Sequence, residues 1–126
     1  DEAKRQLLNS IVHPLVFESQ NRWLEQKESE NPQNIAIIDA ALMIESGNYN
    51  RFEKLIVVWC KPEIQLQRLM LRNNLSEEEA LKRINAQMSQ DDKKRFADYL
   101  IETSEGFEAS KKQTIEIFNQ LKLLNK

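Results

Sequence analysis

Apolar positions recur with helical spacing over residues 1 to 29, where Leu7, Leu8, Ile11, Val12, Leu15 and Val16 mark one face and Trp23 with Leu24 continues it. Pro14 interrupts this pattern. A proline removes one intrahelical donor and crowds the preceding turn, so the spacing predicts two helical segments meeting near His13-Pro14. The polar stretch Glu28 to Asn34 then ends the helix.

Periodicity changes in the next stretch. Ile35-Ala36-Ile37-Ile38 is short, apolar and mostly β-branched, follows the turn signal Asn31-Pro32 and ends at Asp39, which predicts a buried parallel strand. Leu55-Ile56-Val57-Val58-Trp59 is a stronger example of the same pattern. Strands this apolar on both sides need helices over both sheet faces. Between them lie the apolar piece Ala41 to Ile44 and the loop Ser46 to Asn50.

Pro62 opens the following helix at a position where its missing N–H costs little, and Ile64, Leu66, Leu69 and Met70 give that helix an apolar side down to Asn73-Asn74. Ser76 followed by Glu79 is a capping box and starts a further helix expected to reach about Met88. Tyr99-Leu100-Ile101 is a third, weaker strand pattern. Glu105 to Leu124 is a long amphipathic helix carrying Phe107, Ile117, Phe118, Leu121 and Leu124.

This order predicts an α/β fold with a parallel sheet flanked by helices and joined by right-handed crossovers. Residues 1–126 read as a single, incomplete domain: a helical region 1–34, core strands in 35–60, a helix pair in 61–95, and a last strand and helix in 96–126. Three strands make a thin sheet for this architecture. Asp1 is therefore expected to be an internal residue of a longer parent whose first strands lie upstream.

Composition narrows the chemistry. The net charge is −2, with 18 basic and 20 acidic side chains and no basic block, so a nucleic-acid partner is not expected. One Cys and one His supply neither an internal disulfide nor a tetrahedral zinc site, and a reducing, cytoplasmic setting is expected. The longest apolar run, Leu55 to Cys60, is far shorter than the roughly 20 residues of a membrane span, and no membrane partner is expected. The charged, polar N-terminus does not read as a signal peptide. Gly47 and Gly106 are the only glycines, so a phosphate loop of the form G-x-x-x-x-G-K-[ST] cannot be written within these residues.

Several positions could nevertheless carry chemistry. Asp39, after four apolar residues, has the placing of a Walker B carboxylate, which reaches a Mg²⁺ ion or its water shell; the plain alternative is a solvated strand end or helix cap. Glu45 follows in the same strand-end loop, where ligands of open α/β sheets collect. Gln65, Arg68 and Arg72 fall at i, i+3 and i+7 and form one polar stripe. Its two arginines could clamp phosphate oxygens, or simply complement the C-terminal end of the helix dipole. Arg83, Gln87, Lys93 and Lys94 read as a solvated face. His13 has no Ser or Cys partner and reads as a packing residue, and Cys60 as a buried, inert thiol.

Taken in order, these pieces resemble the dephospho-coenzyme A kinases, a family with the P-loop kinase fold. Ile11-Val12-His13-Pro14-Leu15-Val16 resembles the family's His-Pro segment, and the run from Ile38-Asp39 to Glu45-Ser46-Gly47 is similar to its strand, Asp and Pro-Leu-Leu-Phe-Glu-x-Gly stretch. Pro62-Glu63-Ile64-Gln65-Leu66-Gln67-Arg68 through Arg72 looks like its Pro-Glu-x-Gln-Leu-x-Arg-x-x-x-Arg. Leu75 to Ala80, Arg83-Ile84, Gln87, Lys93 and Ala97-Asp98-Tyr99-Leu100-Ile101 follow in the family's order. Ala41 stands where the family often has Pro, and Thr103 where it often has Asn; neither change removes a charged catalytic group.

The resemblance implies ATP-dependent phosphorylation of the ribose 3′-hydroxyl of dephospho-coenzyme A, with Mg²⁺ accompanying ATP. It implies Arg72 as a catalytic phosphate clamp, Arg68, Arg72 and Thr103 on the nucleotide side, and His13 and Glu45 on the dephospho-coenzyme A side. Asp39 would reach the metal through water, and the helix pair around Ser76 would form a lid. The family's phosphate loop and the carboxylate usually proposed as its general base lie in its N-terminal third, so these 126 residues by themselves are expected to be inactive. Two other readings remain open: a different small-molecule P-loop kinase, of the nucleoside monophosphate kinase kind, and a non-catalytic nucleotide-binding or regulatory domain.

Overall fold

A computed structural model describes residues 1–124 as two compact units, Asp1–Ile38 and Asp39–Leu124. The first unit is dominated by α1 (Glu2–Glu30), whose N-terminus is capped by the Asp1 carboxylate accepting from the Ala3 and Lys4 amides. The helix runs unbroken through Pro14, against the two segments expected from the sequence. Pro14 deletes one backbone bond, but its preferred φ is already helical, and the carbonyl left over belongs to exposed Ser10, where water can solvate it. Asn31 ends the helix in an extended conformation, and the Asn34 side chain donates to the Lys27 carbonyl at 3.0 Å.

Ile35-Ala36-Ile37-Ile38 does not form the expected strand. Among the described residues the sheet contains only β1 (Ile56–Trp59) and β2 (Tyr99–Glu102), in parallel and in the register Ile56 to Tyr99 and Trp59 to Glu102. An apolar, β-branched run supplies the propensity for a strand, but a ladder also needs a neighbour for its backbone groups, and residues 35–38 have none in this sheet.

The crossover between the two strands is helical, as a parallel pair requires. It comprises α2 (Pro62–Asn73), α3 (Glu77–Asn85) and the short α4 (Gln90–Lys94), and α5 (Phe107–Leu124) closes the chain. The α3 helix stops at Asn85 rather than near Met88, because Ser89 caps a new helix by accepting from the Asp92 amide at 3.1 Å. The last helix begins at Phe107 rather than Glu105. Gly106, at φ 97°, makes the turn that precedes it, a conformation that side-chain-bearing residues rarely adopt.

The core lies in the second unit and contains Ile44, Val57, Cys60, Ala80, Ile101 and Ile117. Paired residues on parallel strands project to the same face, yet Val57 is 7% exposed and its partner Leu100 45%, while Val58 is 59% exposed and its partner Ile101 8%. Each face is thus covered over one strand and open over the other. This agrees with the packing of α4 on β1 and of α5 on β2. No helix among the described residues is long and apolar enough to cross a membrane.

Candidate functional site

Beyond the C-terminal end of β1, α2 and α3 enclose an open cleft of about 930 Å³. Local chemistry shapes its corner. Asn74 ends α2 in the left-handed region at φ 51°, and within two residues Ser76 begins α3 with the predicted capping box. The Ser76 hydroxyl accepts from the Glu79 amide at 3.2 Å, and the Glu79 carboxylate accepts from the Ser76 amide at 2.9 Å. That backbone donor, followed by the Ser76 side chain, holds the Glu79 carboxyl below its usual pKa.

The cleft wall includes Cys60, Gln65, Arg68, Arg72, Arg83 and Gln87, giving three guanidinium groups and no carboxylate among its described lining residues. Such a lining favours an anionic ligand. The two arginines of the α2 stripe are nevertheless used differently. Arg68 donates from Nη1 to the Thr103 hydroxyl at 2.9 Å and from Nη2 to the Thr103 carbonyl at 2.7 Å. Arg72 donates only from Nε, to Asn73 Oδ1 at 2.8 Å, leaving its terminal nitrogens clear of ion pairs among the described residues.

Thr103 therefore meets Arg68 where both are anchored to the sheet. Its amide extends the ladder by donating to the Trp59 carbonyl at 2.8 Å. Behind it, the Gln113 carboxamide on α5 closes both backbone groups of Glu102, accepting from the amide at 2.8 Å and donating to the carbonyl at 2.9 Å. On the other side, Gln90 accepts from the Cys60 amide at 2.9 Å and donates to Gln65 at 2.9 Å, fastening α4 to α2 and to the end of β1. Sequence reasoning missed Gln90 and Gln113. The Ser89-x-x-Asp92 cap could have placed Gln90 at a helix start, but no local pattern signals that Gln113 reaches the sheet.

Among the described residues, none of the other predicted side chains shares a hydrogen bond with this cluster. Asp39 is exposed and makes no ion pair among the described residues. Glu45 is engaged with Lys93 at 3.2 Å, a pair whose side chains are only 22% and 17% exposed, so Lys93 is not the solvated residue its sequence context suggested. His13 lies in the other unit, on α1, with its ring 5.9 Å from that of Phe17. The described residues contain no cluster of three or more His, Cys, Asp or Glu suited to a metal ion. The lone Asp39 carboxylate suits an ion that is carried chiefly by a phosphate ligand.

Comparisons with known proteins bear on this geometry. The sequence profile of one family, described as Dephospho-CoA kinase, matches residues 1–108. A protein named Dephospho-CoA kinase in Syntrophus aciditrophicus is 40% identical over 121 residues, covering 96% of this chain and 52% of the relative. Another of that name in Listeria monocytogenes is 40% identical over 119 residues, covering 91% of this chain and 57% of the relative. The chain thus spans about half the length of the curated relatives it matches. Among solved structures, TT1252 from Thermus thermophilus superposes with a TM-score of 0.77 at 26% identity, over 95% of this chain and 60% of the other. A dephospho-CoA kinase from Campylobacter jejuni gives a TM-score of 0.65 at 25% identity, over 100% of this chain and 62% of the other.

Proposed function

Because the chain belongs to the dephospho-CoA kinase family, we propose that it forms part of an enzyme that moves the γ-phosphoryl group of ATP to the ribose 3′-hydroxyl of dephospho-coenzyme A, yielding coenzyme A and ADP. The bond from the γ-phosphorus to its bridging oxygen breaks, a bond to the ribose oxygen forms, and the hydroxyl proton leaves to a base. The observation that carries this reading is the cleft between α2 and α3, lined by three guanidinium groups, in which Arg72 keeps its terminal nitrogens free of partners among the described residues.

Phosphoryl transfer is mainly a problem of position and charge, since negative charge spreads over the transferring oxygens. Arg72 would direct its fork at those oxygens. Arg68, held against Thr103, would keep the strand end in place beside the nucleotide and add positive potential to the cleft. Mg²⁺, entering as the complex with ATP, would neutralise the β- and γ-phosphates, and the exposed Asp39 carboxylate would hold part of its water shell. Glu45 and His13 are assigned to the acceptor side by their place in the family pattern, and the α2–α3 corner to a lid over the phosphates.

The test is turnover of the full-length protein with ATP, Mg²⁺ and dephospho-coenzyme A, read as ADP release and as the mass of the phosphorylated product. Transfer to dephospho-coenzyme A and not to nucleoside monophosphates is the expected result. Nucleotide binding with no transfer to either acceptor would refute the assignment.

A further inference from the structure

Lys93 sits at a junction that the phosphate chemistry does not use. Its ammonium lies 3.2 Å from Glu45 Oε2 and 3.5 Å from Gln87 Oε1. Glu45 belongs to the turn that follows Asp39, Gln87 forms part of the cleft wall, and Lys93 itself is on α4, so one side chain joins three separate stretches of chain. The side chain is only 17% exposed, which keeps its charge less screened than a surface lysine's. The neighbouring Lys94 faces elsewhere, with its ammonium 3.8 Å from the centre of the Trp59 ring.

Gln90 fastens the far end of the stretch that Lys93 holds to Cys60 and Gln65, and the Lys93 pair adds its tie to the turn after Asp39. Between the end of α3 at Asn85 and the Ser89 cap of α4, the Ala86 amide donates to the Lys82 carbonyl at 3.1 Å and the Gln87 amide to the Ile84 carbonyl at 3.2 Å. Both bonds run back into α3 and say nothing of where the linker sits against the rest of the unit. The Gln87 side chain is tied down through Lys93, and Lys93 through Glu45.

We propose that Lys93 is a positioning residue for the transfer reaction: by bridging Glu45 and Gln87 it locks the linker 86–89 to the turn after Asp39, and so fixes the cleft wall relative to the acceptor-side loop. The lock itself follows from contacts within one unit, while its kinetic consequence rests on the proposed kinase function. Lys93 touches no reacting atom. Its loss lets the wall wander, which weakens alignment at the transition state more than ground-state binding of ATP.

Lys93→Met in the full-length protein keeps the aliphatic stem and removes the ammonium. Amide exchange at Ala86 and Gln87, whose bonds to Lys82 and Ile84 fray once the linker is loose, is expected to rise about tenfold while α5 amides stay unchanged, the signature of a local opening. With dephospho-coenzyme A as acceptor, kcat is expected to fall about tenfold with the KM for ATP within about twofold, and Lys93→Arg, which restores the pair with Glu45, to recover most of the loss. Unchanged exchange at Ala86 and Gln87, or equal losses in the Met and Arg variants, overturns the proposal. If the wild-type protein transfers nothing to dephospho-coenzyme A, the kinase reading fails and the exchange comparison still decides the lock. Should Lys93→Met not fold, Glu45→Gln weakens the same bridge, and faster exchange at the same two amides is again required.

Discussion

Gln113→Leu tests how the strand end under the cleft is held. In the wild-type chain the Gln113 carboxamide closes the Glu102 amide and carbonyl at 2.8 and 2.9 Å, in a part-buried setting. Its third bond, to the Ala109 carbonyl at 3.0 Å, adds little, because that oxygen already serves the helix. Leucine has nearly the same size and no polar atoms, so two backbone groups lose their partners. An unmet buried backbone group costs about 1–3 kcal/mol; partial burial puts each here near the lower bound, and the pair near about 2 kcal/mol. Urea unfolding of the full-length protein, with the slope m compared between variants, measures this. Gln113→Glu should not rescue the clamp at neutral pH, since it keeps an acceptor for the Glu102 amide but sets an anionic oxygen against the Glu102 and Ala109 carbonyls. The consequence reaches the site, because Thr103 follows Glu102 and receives the Arg68 fork. Amide exchange at Thr103 should quicken in Gln113→Leu. An unchanged midpoint and unchanged Thr103 exchange would show that water replaces the carboxamide without cost, refuting the clamp.

Other outcomes follow from the same geometry. Arg72→Ala in the full-length enzyme should lower kcat by at least about a hundredfold with circular dichroism unchanged, because its terminal nitrogens support no other structure. Ser76→Ala should cost about 1 kcal/mol in thermal or urea unfolding at neutral pH by removing the α3 cap. The pH dependence of the cap has a definite sign: the Glu79 carboxyl titrates below 4.5 in the fold, so its contribution is full above that value and fades as pH falls through the lowered native one. Glu79→Gln should flatten this part of the stability profile, and an unchanged acid limb would refute the assignment to Glu79.

The parts legible in the sequence are those set by local chemistry. Pro62 at a helix start, the Asn73-Asn74 stop and the Ser76–Glu79 box each work through backbone groups a few residues away, and all three stand as expected. The apolar runs of β1 and β2 and the burial of Cys60 were legible because short runs of apolar, β-branched and aromatic residues favour strands, although Val58 and Leu100 stay exposed. The misreadings arose where a local signal met a non-local decision. Pro14 breaks a helix only when its surroundings reward the break, and Ile35 to Ile38 forms a ladder only beside a partner. Lys93 read as solvent-facing because its partner, Glu45, is far from it in the sequence.

Arg68 and Arg72 show the same limit at the site itself. They stand one helical turn apart on α2 and read alike, as two cations on one stripe. The fold separates them by what each faces. Arg68 lies opposite the end of β2, where the Thr103 carbonyl and hydroxyl offer two acceptors to its fork, whereas Arg72, a turn further on, donates among the described residues only to the side chain of Asn73. A lysine has one point of charge and no fork, so the two Arg→Lys changes should part company. Arg68→Lys keeps the cleft's charge but loses one of two bonds to Thr103, so it should lower stability by about 1 kcal/mol, with a modest effect on turnover. Arg72→Lys should leave stability unchanged and lower kcat about tenfold or more, since a planar fork suits a transferring phosphoryl group and an ammonium does not. Equal effects of the two substitutions on both stability and turnover would mean that the Arg68–Thr103 brace opens during catalysis and that both arginines bind the nucleotide.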